Sequence, residues 1–63
     1  MKEVKIPFWE SYKIENITYD LFEGYNTNVE DIKFSLFGTK VYFDTDLSEK
    51  RIKEILIWLG VNL

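Results

Sequence analysis

Cysteine and histidine are both missing from this 63-residue chain. Without them there can be no disulfide, no thiolate zinc site, no cysteine nucleophile and no imidazole base, which removes most common catalytic and metal-binding constellations. Proline occurs once and glycine three times, with the glycines isolated at positions 24, 38 and 60, so no glycine-rich cradle for a phosphate exists. No apolar run approaches the roughly 20 residues of a membrane span. The start, Met1-Lys2-Glu3-Val4-Lys5, lacks the long apolar stretch of a signal peptide. A cytoplasmic location is the expectation, with which the absence of cysteine agrees.

What is present describes a folded domain. Hydrophobic side chains make up 46% of the residues, aromatic ones 17% and charged ones 30%, which suits one globular unit spanning residues 1–63. A chain this short buries only about 60% of its unfolded surface, so nearly every apolar residue is needed and dimerisation would help. Eight basic against eleven acidic residues give a formal charge of -3. That balance offers no global attraction to nucleic acid or to an anionic membrane; such binding would need local segregation of charge, and no membrane partner is expected.

Hydrophobic periodicity sets the order of elements. Val4, Ile6 and Phe8 alternate with Lys5 and Pro7 as a first strand that Pro7 ends or places at an edge. From Ser11, a candidate N-cap, Ile14, Ile17, Thr18, Leu21, Phe22 and Tyr25 follow one helical face. Ile17, Tyr19 and Leu21 also fit a strand, so strand is the alternative for residues 11–25. Gly24 and Tyr25-Asn26-Thr27-Asn28 terminate this element. Ile32, Phe34 and Leu36 then alternate up to a Gly38-Thr39 turn, and Val41 and Phe43 alternate beyond it, which reads as a hairpin. Asp46 with Glu49 resembles a capping box ahead of the stripe Ile52, Ile55, Leu56, Leu59, closed by Gly60. Val61 to Leu63 supply a stub of a final strand. This β-α-β-β-α order with its stub is that of an α+β, ferredoxin-like sandwich: an antiparallel sheet with both helices on one face.

The chain at this point resembles the heavy-metal-associated domain of copper chaperones and metal-transporting ATPases. Val4-Lys5-Ile6 is similar to that family's first strand, Asn28 to Phe34 to its second and Val41-Tyr42-Phe43-Asp44 to its third. Leu47 to Leu56 resembles its second helix. The family holds metal through two cysteines between the first strand and first helix, where this chain reads Pro7-Phe8-Trp9-Glu10-Ser11-Tyr12-Lys13. The resemblance therefore implies the fold without the activity, because soft thiolates are what select copper(I) or zinc. No metal and no cofactor is expected.

Eleven carboxylates could serve acid–base or metal chemistry, but Glu30-Asp31 and Asp44, Asp46, Glu49 fall at element ends, where acids favour turns and helix N-termini. No serine or threonine has a histidine to activate it, so the chain reads as non-enzymatic. Its surfaces are more telling. Ile57 projects roughly 140 degrees from Ile52 on the last helix, Trp58 lies at the other margin of the stripe, and Trp9 and Tyr12 flank the first loop. Trp9, Tyr12, Ile57 and Trp58 are thus the candidate protein interface, for a protein partner or for self-association as a homodimer, with the exposed sheet edge as a strand acceptor. If Val4, Ile6, Ile32, Phe34, Leu36, Val41 and Phe43 face the helices, Lys5, Lys33, Ser35, Lys40 and Tyr42 face outward. Lys5, Lys33, Lys40 and Tyr42 are then a candidate single-strand nucleic-acid site, with Phe37 as a second stacking aromatic. A third reading, an acidic decoy of nucleic acid through Glu10, Glu15, Asp20, Glu23, Glu30 and Asp31, is weakened by a charge of only -3.

Overall fold

The computed structural model describes every residue from Met1 to Leu63. Strand β1 (Lys2–Ile6) leads through a 3-10 turn at Phe8–Glu10 into helix α1 (Ser11–Tyr25). Strands β2 (Asn28–Lys33) and β3 (Thr39–Asp44) follow, and helix α2 (Glu49–Trp58) ends the ordered elements. The sheet is antiparallel in the order β1-β3-β2, so β3 is central and both other strands are edges. The helical period of residues 11–25 prevails over their strand-like composition, because it gathers Ile14, Ile17 and Leu21 on one buried face.

Those three side chains join Ile52, Ile55 and Leu56 of α2 and Val4, Ile6, Val41 and Phe43 of the sheet in one cluster of 11 buried residues, completed by Val61. Both helices therefore cover the same sheet face. On β2 the inward residues Val29 and Ile32 stand three apart, a spacing that would send them to opposite faces of a regular strand. A bulge between Val29 and Asp31 corrects this: Val29 pairs with Phe43 and Ile32 with Val41, and both pack against the core.

The helix starts depart from their expected caps, whereas the exits fall within the expected Tyr25–Asn28 run and at Gly60. Ser11 is the first residue of α1 and spends its buried hydroxyl on Thr39 of β3. Gly24 lies inside the helix. It is Asn26, at φ 50°, that ends it, with its own N–H and that of Thr27 both donating to the Leu21 carbonyl. At α2 the cap is Ser48, whose Oγ accepts from the Arg51 N–H at 3.2 Å. Its exit is a Schellman turn: Gly60 N–H donates to Ile57 and Val61 N–H to Leu56, with Gly60 at φ 103°.

Three expectations need correction. Residues 61–63 form no strand. The Schellman turn drops Val61 into the core, and Asn62 donates its N–H to Glu10 Oε1 at 2.8 Å, so the chain end clasps the 3-10 turn instead of extending the sheet. The second strand stops at Lys33, so Phe34 and Leu36 are exposed loop residues rather than core. The register pairs Lys33 with Lys40, which is too wide for a two-residue hairpin turn, and the chain makes a longer one in which Gly38, at positive φ, donates its N–H to the Ser35 carbonyl and Phe37 N–H donates to Ser35 Oγ. Finally, Phe22 falls at the margin of the α1 stripe and is exposed, its place in the core left to Leu21.

The glycines separate two effects. Gly38 has φ +131°, and a Cβ there would meet the Lys5 side chain that lies across it; Gly24 has nothing within 4 Å. Gly38→Ala is expected to destabilise the fold by about 1–3 kcal/mol. Gly24→Ala, in helix interior, is expected to stabilise it by about 0.5–1 kcal/mol. Urea unfolding midpoints of the two variants check both signs.

Candidate interaction surfaces

The face of the sheet away from the helices is laid out by the strand register. Lys5 pairs with Lys40 and Lys40 with Lys33, so the three lysines form one row across all three strands. All three are exposed, and the molecule's two ion pairs, Lys13–Glu10 and Arg51–Glu54, involve none of them. The next row toward the other end of the sheet is Glu3, Tyr42 and Asp31. The bare face is therefore not uniformly basic: a cationic row borders an acidic one.

Tyr42 shares its surroundings with both. Lys33 Nζ sits 5.5 Å from the centre of its ring. Partial burial pushes the phenol pKa up, and the Glu3 and Asp31 carboxylates push it the same way. The sequence brought Lys5, Lys33, Lys40 and Tyr42 together correctly, but it did not foresee that a lysine overlies the ring or that acids flank it. Phe37, the second candidate aromatic, lies on the 34–38 turn beyond the strands and is 90% exposed.

The proposed protein-contact residues are all solvent-facing: Trp9 is 63% exposed, Tyr12 62%, Ile57 57% and Trp58 81%. Trp9 and Tyr12 stand on the 3-10 turn and the first turn of α1, while Ile57 and Trp58 stand on the last turn of α2. Two contacts clasp those elements together. Glu10 Oε1 accepts from Asn62 N–H at 2.8 Å and pairs with Lys13 Nζ at 2.8 Å, and Lys13 Nζ donates to the Gly60 carbonyl at 3.0 Å. The Asn62 hydrogen bond first, and the Lys13 contact second, hold the Glu10 carboxyl below the usual carboxylate range. Lys13 is raised by the same partner. Glu10, one of the acids the decoy reading needs at the surface, is buried, and nothing in its local pattern signals a partner 52 residues away.

A further surface was legible in the sequence only through Phe37. Phe34, Leu36 and Phe37 are 68%, 80% and 90% exposed on the 34–38 turn, and Phe34 and Leu36 border a cavity of about 280 Å³ with Phe8, Ser11, Ser35 and Thr39. The signal available was Ser35 followed three residues later by Gly38, a turn signature inside an apolar alternation. Elsewhere no three acidic side chains gather into a metal-holding group, and no buried side-chain polar atom lacks a partner.

The clasp has a pH signature. A depressed Glu10 contributes stability that is present above its ordinary pKa near 4.5 and is lost as pH falls through the lower folded value. Glu10→Gln should lower stability at neutral pH and flatten the acid limb below pH 4.5, as read by thermal melts across that range. A variant whose acid limb matches the parent's would show that the clasp is not linked to Glu10. Comparison with protein-family models, curated proteins and solved structures finds no match to this chain, and the surfaces stand on their own chemistry.

Proposed function

We propose that this chain is a small non-enzymatic protein-interaction domain that engages its partner through Trp9, Tyr12, Ile57 and Trp58. The observation that carries the reading is the clasp: the two elements bearing these side chains are fixed to each other by Glu10, Lys13 and the chain end, so large apolar groups are presented without first having to be ordered. Tryptophan and tyrosine are the side chains that dominate binding energy at protein interfaces.

The strand order β1-β3-β2 under two helices supports a ferredoxin-like sandwich whose fourth strand, beside β1, is absent. In that architecture the outer edge of β1 keeps unpaired N–H and carbonyl groups and can accept a strand from another molecule, a second copy of this chain included. A cytoplasmic location belongs to the same proposal; no helix is long and apolar enough to cross a membrane.

Ile57→Asp tests the reading, because Ile57 faces solvent and its loss leaves the core intact. The variant should keep the parent's helix content by circular dichroism and lose self-association or partner capture. A molecular mass by light scattering that stays monomeric at every concentration removes the homodimer version; partner capture undiminished by Ile57→Asp removes the surface.

The lysine row favours single-stranded nucleic acid as a second reading, with Lys5, Lys33 and Lys40 on phosphates and Tyr42 under a base. The acids beside Tyr42 and the ammonium over its ring count against it. Three neutralised phosphates predict a slope of about -2 in log affinity against log salt for single strands. A flat response, or no binding at low salt, rejects it.

A further inference from the structure

We propose that one end of this molecule, the 34–38 turn together with the lysine row behind it, docks on an anionic lipid bilayer. The inference goes beyond protein binding and uses different residues.

The topology sorts the sequence into two poles. β1 ends, β2 ends and β3 begins at the pole that bears the 34–38 turn, while Glu30, Asp31, Asp44 and Asp46 lie toward the other. From Val4 to Trp9 and from Ile32 to Phe43 the chain contains no carboxylate at all. Of the acids near that pole, Glu10 is turned inward onto Lys13 and Asn62, while Glu3 and Asp31 stand one row back beside Tyr42. A chain of net charge -3 thus has one end whose outermost row of charge is Lys5, Lys33 and Lys40, none of them in an ion pair, with the acidic row set behind it. The segregation that membrane attraction required is present.

The same end is apolar at its tip. Phe34, Leu36 and Phe37 project from one turn, and Lys5 lies across Gly38 at its base. Lys33 directly precedes Phe34, and Lys40 follows Gly38 by two residues. Aromatic and aliphatic groups at an apex with lysines set just behind them match a bilayer interface, where apolar side chains enter the headgroup boundary while cations meet anionic headgroups. Three lysines directly opposite one another also repel across the sheet, an arrangement that fold stability disfavours and an anionic surface would relieve.

Charge decides against a second copy as the occupant. Two such poles meeting about a two-fold axis would bring six lysines together, and a head-to-tail contact does not close on itself. A planar anionic surface satisfies all three lysines and accepts the projecting tip without needing a groove.

The test is co-sedimentation of the full chain with vesicles of phosphatidylcholine alone and with vesicles containing phosphatidylserine. The chain should pellet with the phosphatidylserine vesicles at low salt, stay mostly soluble with the neutral ones, and be released as salt rises. Each lysine near an anionic surface is worth about fivefold in partitioning. Lys33→Gln/Lys40→Gln should therefore weaken pelleting on the order of twentyfold to thirtyfold. Leu36→Ser/Phe37→Ser, at exposed positions, should abolish it with the melting temperature unchanged. Ile57→Ser, which adds no charge at the α2 exit that shares this end of the molecule, should pellet like the parent, which separates this docking from the protein interface. A parent chain that remains soluble with phosphatidylserine vesicles at low salt overturns the proposal, as does a loop variant that pellets undiminished.

Discussion

Everything in this molecule depends on one apolar cluster that is large enough to bind two helices to a sheet and too small to cover the sheet twice. Its 11 buried side chains come from α1, α2, β1, β3 and the chain end, and each contributes from a single face of its element. A domain of this size has no further apolar residues inside with which to build a second layer. The bare sheet face, the open edges and the projecting turn are what remains once that cluster is satisfied.

The excess apolar residues are then placed by local geometry. Asn26, Gly38 and Gly60 supply the left-handed turns that reverse the chain, and two of these turns decide where function could reside. The turn at Gly38 pushes Phe34, Leu36 and Phe37 out of the sheet, and the turn at Gly60 sends Val61 inward and Asn62 onto Glu10. Charge follows the same logic. The register sets three lysines side by side because inward-facing Ile6, Ile32 and Val41 fix the strands, and the outward residues have no say in the pairing.

Element order was legible in the sequence because each element repeats its period over several residues: alternation at Val4 to Ile6 and Val41 to Phe43, and 3.6-residue spacing at Ile14 to Leu21 and Ile52 to Leu59. What was not legible turns on single residues and long-range contacts. The alternation of Ile32, Phe34 and Leu36 runs on past the true end of β2, and only the turn chemistry of Ser35 and Gly38 interrupts it. The bulge at Glu30 is forced by Val29 and Ile32 both needing the core, a demand visible only once the inward face is known. The clasp of Glu10 on Asn62 joins residues whose proximity is a consequence of the whole fold. Of the exposed groups, the solvent-facing positions of Trp9, Tyr12, Ile57 and Trp58 and the lysine row were legible in the sequence, whereas of the aromatic turn only Phe37 was.

The central claim is a single sheet with helices on one face, nothing on the other, and two unpaired edges. Native-state hydrogen exchange measured amide by amide tests it most directly, because an amide bonded within the sheet opens with the whole molecule whereas one facing solvent does not wait for that. The account predicts slow exchange along β3, which is paired on both sides, and fast exchange at alternate amides of β1 and β2, whose outer N–H groups meet only water. Uniform protection along β1 equal to that of β3 would mean that another strand covers this edge, and the one-layer, open-edged description would be wrong.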